Sequence, residues 1–96
     1  ASLVPISIME KSMEALEILE ELCEKGSRMA VSDVGVGVQL IRAALLGAVM
    51  NVYINTKSMK DREKADELNT YADQMVEKGS CLADAIYHKV RQGLKA

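Results

Sequence analysis

From Val34 to Ile54 the chain carries only three clearly polar side chains, Gln39, Arg42 and Asn51. This run is what most limits the folds open to it. Twenty-one such residues form a helix of roughly 32 Å, long enough to cross a bilayer. Arg42 argues against that, because a charge near the centre of a spanning helix costs roughly 2.5–3.5 kcal/mol even on the mildest scale. The flanking segments are strongly charged and read as soluble. A helix apolar on all sides then belongs at the centre of a bundle, and no membrane partner is expected.

The neighbours on both sides are also helical. From about Pro5 to Lys25, Ile8, Met9, Met13, Ala15, Leu16, Leu19, Leu22 and Cys23 fill one broad side, and Glu10, Glu14, Glu17, Glu21 and Glu24 fill the other. Pro5 suits the first helical position and Gly26 a closing one. From about Asp61 to Leu94, Leu68, Ala72, Met75, Gly79, Leu82 and Ile86 recur at alternating four and three residues. Tyr71, Ala83, Tyr87 and Val90 widen that stripe. Gly79 marks either a close helix crossing or a break before Ser80. The middle helix is expected from Ser32 or Asp33 to Ile54, and Asn55 to Lys60 as the one real loop. The fold class is all-α: long antiparallel helices around a buried small-residue central helix. Two amphipathic helices cannot wrap a third on all sides, so the remaining cover must come from another copy or from a segment not present. The molecule is therefore expected to be oligomeric.

Twelve Lys and Arg against fourteen Asp and Glu leave a net charge of −2, which lacks the basic footprint of a nucleic-acid binder. Hydrophobic residues at 49% and charged ones at 27% indicate a globular chain rather than a disordered one. Two cysteines, Cys23 and Cys81, cannot staple a secreted framework and read as buried, reduced thiols. No signal peptide is visible, and a cytoplasmic protein is expected. The chain opens on Ala1 rather than Met, so its start is processed, trimmed or lost. His88 reads as a surface or interface residue. No cluster of His, Cys and carboxylates has metal-ligand spacing, so no metal is expected.

On the central helix, Asp33, Gly37, Leu40, Ala44, Gly47, Ala48, Asn51 and Asn55 fall within about 100° of one another. A carboxylate stands at one end and two carboxamides at the other, with mainly small residues between. The stripe reads either as a tight helix-packing seam or as a groove for a flat polar ligand. Asp33 is in the first reading an N-terminal capping residue. Asn55 serves equally as a left-handed C-terminal residue or as a hydrogen-bonding one. Arg42 pairs with a carboxylate of another helix or with an anionic ligand, the former being favoured.

The run Ser32-Asp33-Val34-Gly35-Val36-Gly37, then Arg42-Ala43, Leu46-Gly47-Ala48 and Asn51-Val52-Tyr53-Ile54-Asn55, resembles the formiminotetrahydrofolate cyclodeaminase and methenyltetrahydrofolate cyclohydrolase family. Val4-Pro5, Glu10-Lys11, Glu24-Lys25-Gly26 and Asp61 also fit. The resemblance covers Val4 to about Lys89. It implies an all-helical homodimer that binds a reduced folate as substrate and needs no separate cofactor. Cyclodeaminases of the family close 5-formiminotetrahydrofolate to 5,10-methenyltetrahydrofolate with loss of ammonia. Cyclohydrolases interconvert methenyl- and 10-formyltetrahydrofolate. Asp33 is the catalytic candidate, as general acid or as stabiliser of the cationic product. Asn51, Asn55, Gly37 and Arg42 are the substrate-binding candidates. Family members are roughly twice this length, and their Pro- and Gly-rich N-terminal half has no counterpart here. The whole chain, 1–96, therefore matches the C-terminal half of such a domain, and this stretch alone is expected to be inactive. The alternative is a non-catalytic helical dimerisation module derived from the same fold.

Overall fold

The computed structural model describes residues 3–25 and 28–95, and only the backbone for 28–30. They form three helices: α1 (Leu3–Lys25), α2 (Arg28–Lys57) and α3 (Arg62–Lys95). Among the described residues no strand occurs. One core cluster joins Ile6 and Met9 to Val49, Val52, Ala72 and Met75. A second joins Leu16 to Val34, Val38, Ala83, Ile86 and Val90. The start of α1 thus meets the end of α2 and the first half of α3. Neighbours in sequence run antiparallel, and α1 and α3 run parallel.

The helix limits differ from the expected ones for local reasons. α1 starts at Leu3, so Pro5 is its third residue rather than its first. It still lies within the first turn, where a missing N–H breaks no helical bond. Gly26, expected to close this helix, lies outside the described residues. α2 begins at Arg28 rather than at Ser32 or Asp33. Arg28-Met29-Ala30 are good helix formers, and they extend the helix ahead of the residues that looked like caps. α2 also runs past Ile54 to Lys57. Asn55 is therefore helical, and no described non-glycine residue has positive φ, which removes the left-handed role for it.

The connection between α2 and α3 is short and well fastened. The Arg62 guanidinium donates to the carbonyls of Thr56 at 2.8 Å and Met59 at 2.9 Å. These acceptors lie at and just beyond the end of α2, where carbonyls lack helical partners. Asp61 caps α3, its Oδ1 accepting from the Lys64 N–H at 3.0 Å. α3 then passes through Gly79 without a break. The glycine is buried, and a Cβ there would overlap Leu45 and lie 2.8 Å from the Met13 sulfur. Gly79 is thus a close three-helix crossing.

α2 is covered on one side only. Val34, Val38, Leu45, Val49 and Val52 face α1 and α3 and are buried. Val36, Leu40, Met50 and Ile54 are between 56% and 68% exposed. The expected all-round burial of this helix is absent from the three-helix unit. The segment Val31–Lys57 is long and apolar enough, by length and composition, to cross a membrane, a test that the core helix of a soluble bundle also passes.

Candidate functional site

The candidate residues are spread along α2, with only Asp33 and Asn51 fully on its open face, and the fold does not gather them. Asp33 and Asn51 are exposed, and Asn55 and Gly37 are half-buried. Asp33 and Asn51 are eighteen residues apart on one unbroken helix, about 27 Å at 1.5 Å per residue. Asn51 and Asn55 lie one turn apart and form a pair. One pterin ring cannot touch both ends of this helix. Asp33 lies five residues inside α2, so its side chain is not the cap of that helix.

Arg42 takes the intramolecular option. Its Nε lies 3.1 Å from Asp84 Oδ1 on α3. That nitrogen is buried and has no hydrogen-bond partner, so the contact is an ion pair off the line of the N–H. Gly37 lies under Leu19, and a Cβ there would come within 3.6 Å of Leu19 Cδ1, an ordinary contact. The backbone carbonyl of Asn55 accepts from Ser58 N at 3.3 Å and Ser58 Oγ at 3.1 Å.

A groove of about 430 Å³ opens between the first half of α2 and the end of α3. Its walls include Ser32, Gly35 and Gln39 on one side and Tyr87, Val90 and Arg91 on the other. Gly35 narrows its floor, since a Cβ there would fall 2.9 Å from Val90 Cγ1. The volume falls in the range of small-molecule sites, and the walls combine an aromatic ring, an amide and a cation. Asp33 follows Ser32 but points about 100° further round the helix, towards the open face. Tyr87 and Arg91 were not singled out in the sequence as binding residues. Tyr87 belongs to the widened stripe of α3 and Arg91 follows Val90 of that stripe, and only the packing of α3 on α2 sets them beside Ser32.

The other end of the bundle holds a polar network that the sequence did not signal. Tyr53 donates to Asp73, and buried Thr56 donates through Oγ1 to Asn69 Oδ1 at 2.7 Å. Tyr71 donates to Glu10 Oε2 at 2.6 Å. The bond to Asp73 raises the Tyr53 pKa above its ordinary 10.0, with burial adding to it. The bond to Glu10 does the same for Tyr71. Each pair spans two helices, so no spacing within one segment reveals it. The cysteines also differ from expectation: Cys81 is exposed and Cys23 half-buried, both as free thiols. Cys81 borders the apolar stripe of α3 but falls outside the contact with α1 and α2. His88 is exposed, as expected.

Comparison with known proteins identifies the lineage. The family model described as formiminotransferase-cyclodeaminase matches residues 1–74. The chain is 32% identical over 88 residues to a methenyltetrahydrofolate cyclohydrolase of Methylorubrum extorquens, covering 92% of this chain and 42% of that protein. It is 30% identical over 89 residues to a formimidoyltransferase-cyclodeaminase of Gallus gallus, covering 90% of this chain and 16% of that protein. The chain thus spans less than half the length of either relative. No solved structure matches it. The family match extends through α1, α2 and the first part of α3, and it includes both the Ser-Asp-Val-Gly-Val-Gly and the Asn-Val-Tyr-Ile-Asn runs. On that match the chain belongs to the formiminotransferase-cyclodeaminase family.

Proposed function

We propose that this chain supplies the C-terminal helical half of a folate one-carbon enzyme. The reaction is closure of 5-formiminotetrahydrofolate to 5,10-methenyltetrahydrofolate with release of ammonia, or interconversion of methenyl- and 10-formyltetrahydrofolate. The observation that carries the reading is the family match across a helix whose two signature runs lie at the two ends of one open face. In the first reaction, N10 of the folate attacks the amidine carbon, and the departing nitrogen needs a proton. The product is a cationic amidinium. A carboxylate open to ligand, as Asp33 is, stabilises that charge or delivers the proton. Asn51 and Asn55, about 27 Å along the helix from Asp33, offer paired donors and acceptors to a pterin edge, and they serve the same folate as an Asp33 only where that Asp33 belongs to another polypeptide. Arg91, at the groove, offers a cation to the glutamate tail of a folate.

The test is a spectroscopic assay for the appearance or loss of methenyltetrahydrofolate, run on the longest natural polypeptide that contains this stretch. 5-Formimino-, methenyl- and 10-formyltetrahydrofolate are supplied in turn. Formation of methenyl product with ammonia release identifies a cyclodeaminase. Interconversion with the 10-formyl species identifies a cyclohydrolase. Absence of saturable binding by any reduced folate would overturn the enzyme reading and leave a helical interaction module. The bare surroundings of Asp33 and Asn51 in the single chain favour that second reading for this stretch alone.

A further inference from the structure

A second apolar seam runs along the outer side of α1. The first seam of that helix faces α2 and α3 through Ile6, Met9 and Leu16. The second passes through Val4, Ile8, Lys11, Ala15, Ile18 and Leu22, at steps of four and three residues, the spacing by which one helix seats another. Val4, Ile8, Ile18 and Leu22 are between 46% and 67% exposed. From Val4 to Leu22 the seam is about 27 Å long. Single exposed apolar residues are ordinary on a surface, but four in one helical register form a patch.

The charge beside this seam has one sign. The first 25 residues hold six Glu and two Lys, whereas the rest of the chain has an excess of cations. On the helical wheel Glu14 and Glu21 border the seam along one edge, with Glu10 and Glu17 in the next row. The other edge adjoins α2, where Leu19 covers Gly37. Glu10 and Glu24 are engaged by Tyr71 and Lys89 of α3. Glu14, Glu17, Glu20 and Glu21 are exposed, and together with Ile18 they enclose an open hollow. Among the described residues neither Glu17 nor Glu21 has a cationic partner.

We propose that this face docks an amphipathic helix of another polypeptide, one whose apolar seam is bordered by lysines or arginines. The apolar row supplies the contact, as in other helix-on-helix recognition, and the glutamates select the partner. A basic helix sets cations against Glu14, Glu17 and Glu21. A second copy of this chain brings the same glutamates to the contact and does not fit. An anionic bilayer is repelled by the same row. Exposed charge also speeds encounter, which suits a partner that binds and leaves. The docking does not depend on the folate reading, and a failed folate assay leaves it standing.

The test is a fluorescence titration of the 96-residue chain with a designed helical peptide that repeats Leu and Ile along one seam and carries Lys beside it. A twin peptide carries Glu in place of Lys. Saturable binding of the Lys peptide is expected, about tenfold or more tighter than that of its twin and weakening as salt rises. Ile18→Gln should weaken it about tenfold with helix content unchanged, since the side chain is exposed in the single chain. Ile54→Gln, on the open face of α2, should leave it as it was. Glu14→Lys combined with Glu21→Lys should abolish the preference between the peptides. Absence of saturable binding by the Lys peptide overturns the proposal. So does binding that responds to Ile54→Gln and not to Ile18→Gln, or that ignores salt. The same titration on the longest natural polypeptide containing this stretch must also show binding. Its loss there means that another part of the same polypeptide covers the face, and the proposal falls.

Discussion

At the scale of single residues, Asp33 is set apart by what it does not do in the fold. It caps no helix, and its side chain is open to solvent. Asp33→Asn should therefore leave thermal stability within about 0.5 kcal/mol, as surface changes commonly do. If the proposed folate chemistry holds, the same change in the longest natural polypeptide containing this stretch should lower kcat strongly. Equal turnover in variant and parent would remove Asp33 from the chemistry. The two tyrosine pairs act in the opposite sense, on stability alone. Their folded pKa values lie above the ordinary 10.0, so their contribution is complete below pH 10 and is lost as pH rises through the raised values. A Tyr53→Phe, Tyr71→Phe double variant should be less stable than the parent at neutral pH. Urea melts over a pH series should show that difference closing above pH 10. A difference that stays constant into strong alkali would mean that the hydroxyls contribute nothing.

At the scale of the helices, the same substitution should have opposite signs at two glycines. Gly37→Ala adds a Cβ at ordinary contact distance from Leu19, so it should stabilise the chain by about 0.5–1 kcal/mol through lower backbone entropy in the unfolded state. Gly79→Ala drives a Cβ into Leu45 and Met13. Overpacking of about 1–3 kcal/mol there exceeds the helix gain of about 1 kcal/mol, and the net effect should be destabilising. Paired thermal melts check both signs. The heptad-like spacing of Leu68, Ala72, Met75, Gly79, Leu82 and Ile86 was enough to identify the buried seam of α3, because periodicity is a property of one segment. The three helices were legible for the same reason, and the short connections between them make sequence neighbours antiparallel. The start of α2 was not, because Ser32 and Asp33 have cap chemistry but the preceding turn has helix-forming composition that overrides it. The candidate site was legible as residue types and not as a place. Asp33 and the asparagines share a face in projection, and a helical wheel hides the 27 Å or so between them along the axis. The groove between Ser32 and Arg91 needed two helices in register, which no single-segment pattern contains.

At the scale of the whole molecule, the unit is a rod. Its extents are 53 × 17 × 16 Å, and its radius of gyration is 15.3 Å, against about 12.5 Å for a compact domain of this length. Its surface of 6321 Å² exceeds the roughly 5,400 Å² expected for its mass. Solution scattering distinguishes how such a rod gains cover. Cover of the open face of α2 by a second copy would double the mass while the longest dimension stays near that of the single rod. A longest dimension close to twice as great would mean end-to-end contact instead. The order of the helices also matters while the chain is being made. Of the three helices, α1 leaves the ribosome before α2 and gives it one neighbour, but the stripe of α3 that covers the rest of its buried side follows both. At about 5–20 residues per second, the 34 residues of α3 take roughly 2–7 s to follow. For those seconds the nascent chain displays one of its most apolar segments to its surroundings, to holding chaperones and to any bilayer nearby, and its folding yield depends on how well that interval is protected.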